Sequence, residues 1–117
     1  MTDTIDHPAH YTSRNLGYEC IILAKHQYFC TGNTIKYLWR YKDKGKPLED
    51  LKKARWYARK AAMRHEQTET TGKCGIVLRK LIQSTTGLER VAWYGIRTSD
   101  WNTVTEALNR MIKEESK

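Results

Sequence analysis

The fold of this chain is decided by the segment Phe29-Cys30-Thr31-Gly32-Asn33-Thr34-Ile35-Lys36-Tyr37-Leu38-Trp39-Arg40. Its spacing predicts a helix entered through Gly32, because residues three, four and seven apart share one face of a helix. The apolar residues Ile35, Leu38 and Trp39 fall on one side and are predicted to enter a core. The opposite side carries an amide, an ammonium, a phenol and a guanidinium group, from Asn33, Lys36, Tyr37 and Arg40.

This polar side is suited to a phosphate-bearing ligand. A guanidinium group can donate two parallel hydrogen bonds to phosphate oxygens, and a lysine adds a point charge. The same residue types also make up ordinary solvated helix faces, so a purely structural interpretation stays open beside the functional one.

The basic charge of the chain is concentrated in one segment. The 117 residues, typical of one domain with an appendage, carry 21 basic and 13 acidic side chains and a formal charge of +8. Between Lys36 and Arg64 lie eleven basic and three acidic residues, so this segment holds the whole excess. Such a patch attracts nucleotides, nucleic acid or acidic protein.

A second helix is predicted from Leu48 to His65, with Pro47 at its start. Its core stripe comprises Leu51, Ala54, Tyr57, Ala58 and Ala61. Asp50, Lys53 and Tyr57 form a polar face at i, i+3 and i+7. A short turn near Gly45 favours an antiparallel hairpin with the first helix, which would bring this face to Lys36 and Arg40.

The rest of the chain is predicted to be helical as well. We expect a short helix over 19–26, a linker over 66–72, helices over 74–83 and after the Ser99-Asp100 cap, and a helix or strand over 88–96. The prediction is a small all-α domain on a central antiparallel helix hairpin. Residues 1–66 form its phosphate-binding core, and residues 72–117 form an extension that packs on the core or mediates homo-oligomerisation, since four Trp and seven Tyr exceed what a small core can bury.

Three classes of protein are disfavoured by composition. Cys20, Cys30 and Cys74 are far apart, which disfavours a disulfide framework and fits reduced thiols in a cytoplasm. No apolar run approaches the roughly 20 residues of a membrane span, and the acidic N-terminus is not a secretion signal. His7 and His10 flank Pro8, which disfavours the helix that a metal pair would need, so no metal site is predicted.

Three blocks of this sequence resemble the SaV-like family of phage proteins, long known as a domain of unknown function. The blocks are His7-Pro8-Ala9-His10-Tyr11, Gly32 to Arg40, and Asp50-Leu51-Lys52-Lys53-Ala54 with Trp56-Tyr57. The resemblance implies a phage origin and a host-cytoplasm setting. One longer relative, an early protein of a coliphage, is described as a nucleoside monophosphate kinase.

The function we predict is binding of a nucleotide, or of a nucleotide-derived signalling molecule, which the protein would sequester from host metabolism or defence. Cations would hold the phosphates and aromatic rings would stack on the base. The predicted ligand-binding residues are His7, His10, Tyr11, Asn33, Lys36, Tyr37, Arg40, Asp50, Lys53 and Tyr57.

Two other functions stay open, and no catalytic residue is assigned. A nucleoside monophosphate kinase would need no Walker loop, which is absent here, if Lys36, Arg40 and Lys53 acted with Mg²⁺ held by Asp50. Sequence-independent nucleic-acid binding would use the basic patch and interleaved aromatics, with steep salt dependence.

Overall fold

The fold is all-α, as the sequence predicts. A computed structural model describes residues 14–43 and 45–117, and no β-strand occurs in these two ranges. Its six helices are α1 (Cys20–Ala24), α2 (Phe29–Arg40), α3 (Pro47–Met63), α4 (Gly72–Ser84), α5 (Gly87–Arg97) and α6 (Trp101–Glu115). The segment that the sequence left open between helix and strand is therefore the helix α5.

The first helix of the deciding segment begins earlier than predicted, at Phe29 rather than at Gly32. The carboxylate of Glu66, which follows α3, accepts hydrogen bonds from the Thr31 amide at 2.8 Å and the Thr31 hydroxyl at 2.7 Å. Amides in a first helical turn have no partner within the helix, so this distant carboxylate satisfies one of them. Gly32 instead lies inside α2, where a Cβ atom would come within 3.1 Å of the Ala24 carbonyl oxygen.

The predicted core stripe of α2 is confirmed, and that of α3 is confirmed except at Tyr57, which is only half-buried because its ring stacks on Tyr37. Ile35, Leu38 and Trp39 of α2 are buried, and so are four residues of α3, namely Leu51, Ala54, Ala58 and Ala61. The two helices pack against each other across these stripes. Their role as the central hairpin of the fold stays a prediction.

The C-terminal helices complete the core. Helix α6 packs against α3 and α5, and α5 packs against α4. The side chain of Asp100 accepts a hydrogen bond from the Thr103 amide at 3.2 Å, which confirms the predicted N-terminal cap. The predicted apolar positions of α6 are buried, namely Trp101, Val104, Leu108, Met111 and Ile112.

The segment between α3 and α4 is attached to the start of α6 and to the turn that precedes it. The Trp101 indole donates to the Glu66 carbonyl at 2.9 Å, and the Thr68 amide donates to the Ser99 hydroxyl at 2.8 Å. These contacts explain why the polar residues of this segment adopt a defined conformation. The division into a core over 1–66 and an extension over 72–117 stays a prediction.

A buried carboxylate joins the two halves of the chain. Glu89, in the first turn of α5, lies 2.7 Å from an Arg14 nitrogen and 3.2 Å from the Lys42 ammonium. Tyr41 and Trp93 each donate a hydrogen bond to it at 3.1 Å. Four donors therefore compensate the loss of water that burial of this charge requires.

The surroundings of Glu89 shift two pKa values in opposite directions. Burial alone would raise the pKa of the Glu89 carboxyl, but Arg14, the Trp93 hydrogen bond and Lys42 together hold it below its ordinary value. Burial, and then the Glu89 carboxylate, raise the pKa of the Tyr41 phenol. Both shifts favour the charged carboxylate and the protonated phenol near neutral pH.

Two further features of the described ranges bear on the predictions from composition. Their cysteines are free and buried. None of their helices is both long enough and apolar enough to cross a membrane.

The close approach of α5 and α6 at Gly95 generates the first testable prediction. A Cβ atom at Gly95 would come within 2.8 Å of Val104 Cγ2 and 3.2 Å of the Val104 amide nitrogen. We expect Gly95→Val to lower the free energy of unfolding by about 2 kcal/mol or more, because overpacking a close contact costs roughly 1–3 kcal/mol. Urea denaturation followed by circular dichroism measures this, with Tyr94→Val at the exposed neighbouring position as the control. Equal stability of the two variants would contradict the packing described.

The Glu89 environment predicts a specific dependence of stability on pH. Because its pKa is lowered on folding, the charged carboxylate stabilises the fold above its unfolded pKa of about 4.3, and this contribution is lost as pH falls through the folded value. Glu89→Gln should therefore reduce stability strongly at about pH 7 and much less at about pH 3. Thermal unfolding at the two pH values measures the difference. Glu106→Gln, on an exposed face of α6, should show almost no change at either, and a Glu89→Gln deficit that is equal at both pH values would count against the argument.

Candidate functional site

Five of the predicted site residues come together on α2 and α3. Helix α2 supplies Lys36, Tyr37 and Arg40, and α3 supplies Lys53 and Tyr57; we call these five residues the Tyr37 cluster. The rings of Tyr37 and Tyr57 stack with centroids 5.9 Å apart and planes inclined by 11°. This stack fixes the relation between the polar faces of the two helices.

Three cations surround the Tyr37 ring. The ammonium nitrogens of Lys36 and Lys53 lie 5.0 Å and 5.5 Å from its centroid, and the Arg40 guanidinium carbon lies 4.9 Å from it. Cations within about 6 Å of an aromatic centroid are attracted by the electrons of the ring. The phenol therefore holds in one place three like charges that would otherwise repel one another.

Asp50 supports the cluster from the first turn of α3. Its Oδ2 atom lies 3.5 Å from Arg40 Nε, and both side chains are largely buried. The two atoms have no hydrogen-bond partner among the described residues. Charge attraction holds this contact together, while the hydrogen-bonding capacity of the two atoms is left unused.

The Tyr37 cluster has an excess of positive charge. Lys53 is paired with Glu49 at 3.4 Å in an exposed contact, which contributes little to stability. Lys36 has no carboxylate within 4.0 Å in the described part of the chain. Three cations against Asp50 and Glu49 leave a charge of +1, and an anionic group is the natural complement.

Asn33, another predicted site residue, is not part of the Tyr37 cluster. The Asn33 side-chain nitrogen donates to the Phe29 carbonyl at 2.8 Å, one turn back on its own helix. His7, His10 and Tyr11 lie outside the described residues, so their predicted roles are untested.

The magnesium role considered for Asp50 meets an unfavourable environment. Its Oδ2 faces the Arg40 guanidinium, which would repel a metal ion bound at that oxygen. In ranges 14–43 and 45–117, no group of three or more His, Cys, Asp or Glu side chains is placed to hold a metal ion.

Sequence reasoning missed the aromatic edge of the cluster. The Phe29 ring contacts Tyr57 edge-on at 6.0 Å, and the Trp56 ring contacts it edge-on at 5.0 Å. Lys60 Nζ lies 5.1 Å from the centroid of the Trp56 ring. The i to i+4 spacing of Trp56 and Lys60 was a usable signal for this pair, but the contact of Phe29 with α3 required the tertiary structure.

The neighbouring carboxylates Glu49 and Asp50 allow a matched test of the site. Asp50→Asn removes the buried charge beside Arg40, and we expect a loss of about 2–4 kcal/mol in the free energy of unfolding, because a buried guanidinium would lose its counterion. Glu49→Gln removes only an exposed ion pair and should cost less than about 1 kcal/mol. Urea titrations of both variants decide the matter, and the arrangement described here is wrong if Glu49→Gln proves the more damaging.

Comparison with known proteins finds a family match that covers the helices of this site. Residues 5–59 match the model of a family described as a protein of unknown function, DUF3310. No curated protein and no solved structure matched the chain. The matched range includes α1, α2, most of α3 and all five residues of the Tyr37 cluster. The chain is therefore similar to the DUF3310 family over residues 5–59, a little less than half of its length.

Proposed function

We propose that this protein binds a nucleotide, or a nucleotide-derived signalling molecule, through the Tyr37 cluster. The observation that carries the proposal is the convergence of Lys36, Arg40 and Lys53 on one aromatic ring. These groups supply many donors in one place, and among residues 14–43 and 45–117 two carboxylates, Asp50 and Glu49, lie close enough to balance them. A phosphate group matches both the donors and the charge.

The aromatic residues of the cluster supply the second half of a nucleotide site. Tyr37 and Tyr57 are half-buried and stacked, so their positions are fixed before a ligand arrives. A base could stack at the edge of this pair, where Phe29 is exposed and contacts Tyr57. Preorganised rings lower the entropy lost on binding.

Sequestration requires less of the site than turnover does. Binding needs cations and stacking surfaces, whereas phosphoryl transfer also needs charge neutralisation between two phosphates and a positioned nucleophile. The Tyr37 cluster offers the first set of groups. We therefore propose capture of the ligand, in the setting of a phage protein that withholds a nucleotide or nucleotide signal from its host.

Isothermal titration calorimetry against mono-, di- and cyclic nucleotides tests the proposal. We expect at least one of them to bind with a dissociation constant well below 1 mM, which corresponds to about −4 kcal/mol. Lys36→Ala should weaken that binding roughly ten-fold or more, since a charge-assisted hydrogen bond contributes about 1.5–3 kcal/mol.

The matched control is Lys80→Ala, which removes an exposed lysine from α4, outside the cluster. It should leave nucleotide affinity unchanged. Thermal melts of both variants check that the fold is retained. The proposal fails if no nucleotide in the panel binds, or if the two substitutions weaken binding equally.

A further inference from the structure

The surface beside the Tyr37 cluster continues along α3 as an alternation of cations and large apolar side chains. Lys52, Trp56, Arg59 and Met63 stand at i, i+4, i+7 and i+11, so they share one face of α3, and all four are exposed. Lys60 lies over the Trp56 ring at 5.1 Å. This face extends over about three turns of α3, which is longer than the phosphate and base of one nucleotide can cover.

Trp56 differs from the other tryptophans of the chain. It is 54% exposed, whereas Trp39, Trp93 and Trp101 are buried. It also contacts Tyr57 in a T-shaped arrangement with ring centroids 5.0 Å apart, which restricts its orientation although about half of its surface is exposed. Phe29, which is 72% exposed, contacts the same tyrosine from α2. Large exposed rings beside each other mark binding surfaces.

The charges of this surface indicate which class of ligand it binds. Lys36, Lys52, Arg59 and Lys60 have no carboxylate within 4.0 Å in the part of the chain that the structure describes. A hydrophobic protein partner would have to bury these cations without counterions, which is costly. A strand of phosphates with unpaired bases complements both the free cations and the exposed rings.

We infer that the ligand of this surface is a single-stranded oligonucleotide, with phosphates on the cations of α2 and α3 and bases stacked on Trp56 and Phe29. The inference rests on the proposed nucleotide site of the Tyr37 cluster and extends it from one nucleotide to several. A duplex would not serve, because its bases are already stacked on one another and offer no free faces to the rings.

Fluorescence anisotropy with a labelled oligothymidylate of about 12 nucleotides tests the inference. The wild-type protein should bind it at least roughly ten-fold more tightly than it binds thymidine monophosphate, and more tightly than it binds a duplex of equal length. Because Trp56 is the exposed indole, the oligonucleotide should also quench the tryptophan emission of the wild-type protein.

Trp56→Ala should reduce oligonucleotide affinity roughly ten-fold while thymidine monophosphate binding is retained, since stacking of one base accounts for about that factor. Trp56→Phe should restore most of the loss. Tyr94→Ala is the matched control, because Tyr94 on α5 is equally exposed, at 53%, and should have no effect.

The outcomes separate this inference from the proposed function. If the mononucleotide binds but the oligonucleotide gains nothing, or if Trp56→Ala binds the oligonucleotide as the wild type does, the extended surface is wrong and the nucleotide site stands. Equal binding of the duplex also overturns the inference. If neither ligand binds, both proposals fail together.

Discussion

The rest of the structure depends on one interaction above all, the burial of the Glu89 carboxylate among its donors. This carboxylate lies in the first turn of α5 and is contacted by Arg14, Tyr41, Lys42 and Trp93. A buried carboxylate that lost these partners would cost several kcal/mol, because it would be both unsolvated and unpaired. The chain can therefore bring α5 to this position only if the groups around it arrive together.

Arg14 transmits this constraint to the helix that carries the proposed site. Its guanidinium donates to the Trp39 carbonyl at 2.8 Å and to the Leu38 carbonyl at 2.9 Å, and its carbon lies 6.0 Å and 5.7 Å from the centroids of Trp39 and Trp93. These carbonyls lie in the last turn of α2, where cations are favoured by the helix dipole. Glu66 satisfies the other end of the same helix through Thr31. Helix α2 is thus held at both termini by residues distant in sequence, and only then does it present the Tyr37 cluster to solvent.

The family comparison and the structure divide the chain differently. The DUF3310 match ends at residue 59, inside α3, whereas the residues that fix the two ends of α2 include Glu66 and Glu89, beyond the match. The Tyr37 cluster lies inside the match, and its support lies partly outside it. Residues after 59 therefore contribute to the geometry of the site even though the family model does not reach them.

The sequence by itself determined the helices, their buried faces and most members of the Tyr37 cluster. Helical periodicity depends only on local spacing, so Ile35, Leu38 and Trp39 could be assigned to the core, and Lys36, Tyr37 and Arg40 to the opposite side. The tertiary structure alone decided which charges are paired and where α2 begins. The contacts of Arg14 with Glu89 and of Thr31 with Glu66 join residues 75 and 35 positions apart, and no local pattern reports such distances. The exposure of Phe29 and Trp56 was also decided by the tertiary structure, because a ring is available for binding only where the surrounding helices leave it uncovered.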